Sequence, residues 1–148
     1  MAPRKLRLLV AVDFSPESRR AYRAARDLVS RSGGSIVLAH VRPYSDVGAA
    51  VAEDRGDLIR GKPGSLPARL EKHYAERLRA IAKEDRATRH LVLRGKPSLE
   101  IRREAARGYD ILVMGSRGRG RVAASLLGST VQEILARCPV PVLVAGPR

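Results

Sequence analysis

The chain of 148 residues is poor in aromatic side chains: four tyrosines, one phenylalanine and no tryptophan. Phe14, Tyr22, Tyr44, Tyr74 and Tyr109 lie far apart and are not interleaved with the basic residues. No segment therefore reads as a platform on which successive bases of a single strand would stack. The one cysteine, Cys138, has no partner for an internal disulfide, which fits a reducing compartment. Its place between a helix and an apolar strand reads as a small buried hydrophobe. His40, His73 and His90 lack metal-ligand spacing and the cysteines that would complete a zinc site. No Gly-x-Ser-x-Gly elbow supports a serine nucleophile. No apolar run approaches the ~20 residues of a membrane span, so no bilayer crossing is expected. The basic start, Met1 to Lys5, leads into an apolar stretch broken by Arg7 and ended at Asp13. That is too short and too charged for a signal peptide, and a cytoplasmic address is the expectation.

Acids are also scarce. Fifteen Asp and Glu stand against 29 Lys and Arg, a formal net charge of +14. Clustered cations would neutralise phosphates, so one reading is a basic adaptor for nucleic acid or another polyanion. The other is a solvated surface, because arginines mix with acids at helical spacing in Glu76/Arg79, Glu100/Arg103 and Glu104/Arg107. Without a stacking platform, nonspecific attraction to polyanions is the form such binding takes here.

The length is that of one domain with a real core, taken as residues 1–148. Lys5 to Val12 reads as a buried strand. Ser15-Pro16-Glu17 supplies a cap, a first-turn proline and an early acid for a helix that Gly33-Gly34 ends. Ile36 to Val41 is a second strand, closed by Pro43. Residues 44–65 carry several glycines and little periodicity and read as a flexible loop, with at most a short helical turn at Val47 to Ala52. Leu70, Tyr74, Leu78 and Ile81 mark one face of a helix running to about Glu84. His90 to Leu93 is the centre of a third strand. A short helix carrying Leu99, Ile101 and Ala105 follows and stops at Gly108. Ile111 to Met114 is the fourth strand, Thr130 to Ala136 the last helix and Val140 to Val144 the fifth strand.

Strands alternating with helices define an α/β class: a single doubly wound domain, a five-stranded parallel sheet with helices on both faces. In such sheets ligands sit beyond the carboxyl ends of the strands, where strand order reverses. Asp13, Val41 and Gly115 fall at three such ends.

The most informative segment runs from Ile111 to Thr130. The apolar strand stops at Gly115, Gly118 follows, and Gly128-Ser129-Thr130 opens the last helix. Glycines let backbone N–H groups approach an anion, and a helix N-terminus adds unpaired N–H groups and a positive dipole end. Ser129 and Thr130 either donate hydroxyls or serve as the N-cap. Arg117, Arg119 and Arg121 could reach over a phosphate or remain solvated. Two imitations fail. Gly118-x-Gly120-x-x-Ala123 mimics a dinucleotide fingerprint, but the next strand carries no acid. Gly61-Lys-Pro-Gly and Gly95-Lys-Pro-Ser are incomplete P-loops and read as turns.

The spacing Gly115-x2-Gly118-x9-Gly128-Ser129 resembles the nucleotide-binding signature of the universal stress protein family, in its ATP-binding branch. The resemblance extends to Val10-Ala-Val-Asp13, Leu38-Ala-His40-Val41 and Pro139-Val-Pro-Val-Leu-Val144, and so spans nearly the whole chain. It implies a Rossmann-like, adenine-nucleotide alpha-hydrolase-like fold. It also implies ATP, with Mg2+ or Mn2+, as ligand. By the same likeness Asp13 and the backbone of Val41 face ribose and adenine, while Met114, Gly115, Gly118, Gly128, Ser129 and Thr130 line the ribose and phosphate side. Asp13 has an alternative, as a turn residue or extra cap for the first helix. The family likeness further implies a stress-response switch or sensor read by a partner protein, and a homodimer through Val140 to Val144. No protein metal ligand is assigned. Phosphoryl transfer needs a metal-holding group and something to orient water, and only Asp13 is placed in the crevice, so slow ATP hydrolysis is the most that is expected. His40, beside the crevice, reads as a packing residue.

Overall fold

The computed structural model describes residues 4–42, 66–83, 85, 88–118 and 127–146. The expected loop at 44–65, with its helical turn, lies outside them. Strands β1 (Leu6–Ala11), β2 (Gly34–Arg42), β3 (Thr88–Arg94), β4 (Ile111–Gly115) and β5 (Val142–Ala145) form one sheet. The helices are α1 (Pro16–Ser32), α2 (Leu66–Ala82), α3 (Pro97–Ala105) and α4 (Ser129–Arg137). The strand order is β3-β2-β1-β4-β5 and every pairing is parallel. The doubly wound sheet expected from the alternation of elements is the sheet found.

Each face of the sheet has its own core, because successive strand residues point to opposite sides. On one side Leu8, Val10, Leu38 and Val113 pack under Ala21, Tyr22 and Ala25 of α1 and Leu78 of α2. On the other, Leu9, Ala39, Val41, Leu112 and Met114 meet Ile101 and Ala105 of α3 and Val131 and Ile134 of α4. Strands buried on both faces are nearly all apolar, which is why Leu8 to Ala11 of β1 and the whole of β4 read as continuous runs.

Local chemistry sets the element ends. Ser15 Oγ accepts from Ser18 N at 3.1 Å, capping α1 with Pro16 in its first turn. Gly33, at φ 72°, closes the same helix and donates to Val29 O at 2.8 Å. Of the charge pairs expected on the helices, Glu100–Arg103 forms at 2.8 Å and Glu104–Arg107 at 3.6 Å. The buried Glu104 also accepts from Tyr109 Oη at 2.9 Å. Loss of water around the ring, reinforced by this carboxylate, pushes the Tyr109 phenol up to about 12.

The fifth strand begins two residues later than the sequence pattern indicates, at Val142 instead of Val140. Pro141 has no N–H to give to a ladder, and its carbonyl instead accepts from Leu112 N at 2.9 Å as the lead-in. Val140 still packs against the α3/α4 core. The strand order reverses between β1 and β4, and the crevice outside their carboxyl ends is where the candidate site lies.

Candidate functional site

A cavity of about 410 Å3 opens at that reversal point. Asp13, Val41, Met114, Gly115, Gly118, Gly128, Ser129 and Thr130 all line it, and so does Arg117. Residues singled out from separate parts of the sequence thus share one wall system. Arg119 and Arg121 lie outside the described residues.

The end of β1 contributes Asp13. Its Oδ1 accepts from Ser15 N at 3.0 Å and from Ser15 Oγ, so one carboxylate oxygen braces the start of α1. The other faces the glycine loop: a Cβ placed on Gly118 would stand 2.5 Å from Asp13 Oδ2. The cap reading of Asp13 is thus seen in one oxygen, while the other is turned toward the glycine loop. Asp13 is the only acid among the described lining residues. The described residues contain no group of three or more His, Cys, Asp or Glu arranged to hold a metal.

The glycines differ in purpose. Gly118 leaves room for the Asp13 carboxylate. Gly115 serves packing: a Cβ there would lie 2.7 Å from the backbone carbon of Glu17, so the glycine lets the first turn of α1 press against β4. Gly128 meets nothing closer than 3.6 Å, which is ordinary contact. It is itself the N-cap of α4, in extended conformation and without any side-chain cap hydrogen bond. Ser129 and Thr130 accordingly sit in the first turn and do not cap it. The amides that a helix start leaves without a partner inside the helix belong here to Ser129, Thr130 and Val131, and all three residues line the cavity. Gly128 N donates to Ser116 O at 2.9 Å, fastening this helix start to the end of β4.

Several lining residues escaped the sequence reading: Ser18, Tyr74, Pro97, Ile101 and Val131 among them. Pro97 opens α3 beside the cavity. That helix start is tied to α4 by Ser98 Oγ and Lys96 Nζ, which reach Glu133 Oε2 at 2.5 and 2.7 Å. Lys96, with Ser98, holds the Glu133 carboxyl below its usual range. His40 places Nδ1 2.7 Å from Val12 O; a carbonyl only accepts, so Nδ1 carries the proton. Its ring lies 4.6 Å from Phe14 and 4.5 Å from Tyr74, centre to centre. His40 is a packing residue, as expected, yet it also forms part of the cavity wall. A signal for Tyr74 existed in the sequence. A helix that follows β2 and returns to β3 starts near the carboxyl ends of the strands, so its first apolar turns approach the crevice.

The chain belongs to the universal stress protein family, whose model matches residues 6–146. It is 31% identical over 147 residues to a universal stress protein encoded in the QAH/OAS sulfhydrylase 3′ region of Thermus aquaticus, covering 93% of this chain and 96% of that one. The solved structure of the hypothetical protein MJ0577 superposes with a TM-score of 0.78 at 23% identity, over 96% of each chain. A universal stress protein from Archaeoglobus fulgidus, solved in complex with dAMP, superposes with a TM-score of 0.61 at 17% identity, over 96% of this chain and 98% of that one. At these identities the two structures speak to the fold.

Proposed function

We propose that the chain binds ATP in the cavity beyond β1 and β4, and that occupancy makes it a nucleotide-dependent switch or sensor in a stress response. The observation that carries this reading is the uncapped start of α4 opening, with Gly118 and Arg117, into the same cavity as Asp13 and Val41. A helix start of this kind attracts phosphate. The complex of the Archaeoglobus relative with dAMP supports a nucleotide as ligand. Mg2+ or Mn2+ would be held mainly by phosphate oxygens, with Asp13 the carboxylate at hand. With one acid in the described lining, already bound to Ser15, the site suits retention of ATP better than its hydrolysis. Switching requires a partner protein with different affinity for the filled and empty forms.

The test is to denature freshly purified protein and identify released nucleotide by chromatography and mass spectrometry. Close to one adenine nucleotide per chain is expected. A protein that releases none, and gives no heat on titration with ATP and magnesium, overturns the reading.

We also propose a homodimer through Val140 to Val144. The two edges of the sheet differ: β3 exposes Arg89 and Arg94, whereas β5 exposes Leu143 at 40%. Charged edges resist strand addition and apolar ones invite it. Light scattering at micromolar concentration should return the mass of two chains; one chain's mass counts against this pairing.

A second reading rests on α1, where Arg19 and Arg23 are exposed and form no ion pair with the described residues. They favour loose attraction to nucleic acid or other polyanions, which would collapse with added salt and ignore substitutions at Gly118. No described helix is long and apolar enough to cross a membrane. The lone cysteine supports a cytoplasmic address.

A further inference from the structure

Three rings that are scattered in the sequence meet at one end of the cavity. Phe14 comes from the turn after β1, His40 from β2 and Tyr74 from α2. Centre-to-centre distances are 4.6 Å for Phe14–His40, 4.5 Å for His40–Tyr74 and 6.0 Å for Phe14–Tyr74. His40 and Tyr74 both line the cavity. Phe14 has φ 66°, a left-handed backbone that non-glycine residues seldom adopt. Its ring is held by the other two and by the Arg77 guanidinium, 3.8 Å from its centre. Tyr74 is thus backed by a fixed cluster.

The sheet tells which end of the cavity this is. The helix start that suits an anion stands beyond β4, and β2 lies two strands away with β1 between them. At about 4.8 Å per strand the end of β2 is roughly 10 Å from the end of β4. A nucleotide with its phosphates at α4 therefore carries its base over β2. Successive β2 residues point to opposite faces, and the cavity wall follows. Val41, with Pro97 and Ile101, lines the aliphatic side; His40, with Tyr74, lines the aromatic side. The cavity is thus lined by aliphatic side chains from one side of the sheet and by aromatic rings from the other.

We infer that Tyr74 is the specificity-determining wall of a nucleobase slot, selecting a broad purine over a smaller pyrimidine by contact with the face of the base. The inference rests on the nucleotide reading above and adds to it the residue that selects the base. Every base has a face to stack, so the preference comes from area: a two-ring purine covers more of the Tyr74 ring than a pyrimidine does, and hydrogen bonds elsewhere would separate adenine from guanine.

The experiment compares the unsubstituted chain with Tyr74→Leu and Tyr74→Phe, titrating ATP, CTP and inorganic tripolyphosphate by calorimetry with magnesium present. Leucine keeps apolar bulk against Phe14 and His40 while removing the π face; phenylalanine keeps the face and removes the hydroxyl. Tyr74→Leu should weaken ATP about tenfold or more, shrink the ATP-over-CTP preference and leave tripolyphosphate unchanged. Tyr74→Phe should keep ATP affinity within about twofold, since the ring face is intact. An unchanged ATP-over-CTP ratio in Tyr74→Leu overturns the slot, as does equal weakening of ATP and tripolyphosphate, which would mark a general structural effect. Failure of the unsubstituted chain to bind any nucleotide overturns the nucleotide reading itself, and the slot with it. Binding that is indifferent to Tyr74 removes the slot alone.

Discussion

Gly118→Arg should abolish ATP binding without unfolding the chain. The Cβ it introduces stands 2.5 Å from Asp13 Oδ2, so the carboxylate must move, and the guanidinium beyond it pairs with that carboxylate inside the cavity. Side chain then occupies the space proposed here for phosphate, and Asp13 is drawn from its place. The expected loss is about 100-fold or more in ATP affinity, equivalent to about 2.8 kcal/mol. Stability should change little, because the Gly118 backbone is not left-handed and the residue lies outside both hydrophobic clusters. Calorimetry with ATP and magnesium, beside a thermal melt, reads both quantities. Retained affinity in a folded variant would place the phosphate site elsewhere.

Gly115→Ala should do the reverse, acting first on stability. The added methyl group would lie 2.7 Å from both the backbone carbon and Cβ of Glu17, and 3.0 Å from its carbonyl oxygen. These atoms belong to the first turn of α1 and cannot rotate away as a side-chain tip could. The helix must lift from β4, and α1 covers one whole side of the sheet together with α2. Overpacking of this kind costs about 1–3 kcal/mol, and for a domain of this size the melting temperature should fall by roughly 5–10 °C. ATP affinity would weaken only as far as the displaced turn carries Asp13 and Ser18 with it. An unchanged melting temperature would show that the strand–helix contact is looser than the structure makes it.

These two glycines show what could and could not be read from the sequence. Both belong to the spacing that suggested an anion cradle, and both line the cavity. Only Gly118 faces the carboxylate across the loop. The partner of Gly115 is a helix nearly a hundred positions earlier in the chain, and no local pattern records that contact. The strands and helices were legible because their signals are local: apolar runs, Ser15-Pro16 at a helix start, Gly33 at its end. The start of β5 was set two residues early, at Val140, because the apolar pattern outweighed Pro141, which cannot donate to a ladder. Ser129 looked like a cap by its type, but the residue before it takes that place without using a side chain. The aromatic cluster was out of reach for a different reason. Phe14, His40 and Tyr74 sit on three elements, and five scattered aromatic residues gave no hint that rings would converge.

The cavity also has a schedule. Asp13 and Thr130 face the same space, yet α1, β2, α2, β3, α3 and β4 all intervene between them in sequence. As the chain emerges during synthesis, β1 and β2 can pair and bury much of one core long before α4 exists. A nucleotide has nothing to grip through that period, because the helix start that would hold its phosphates is still to be made. It can stabilise only the form in which α4 has docked beside β4, and so cannot rescue an early misstep. Bound nucleotide would thus certify assembly: a chain that retains it has packed every element from its first strand to its last helix.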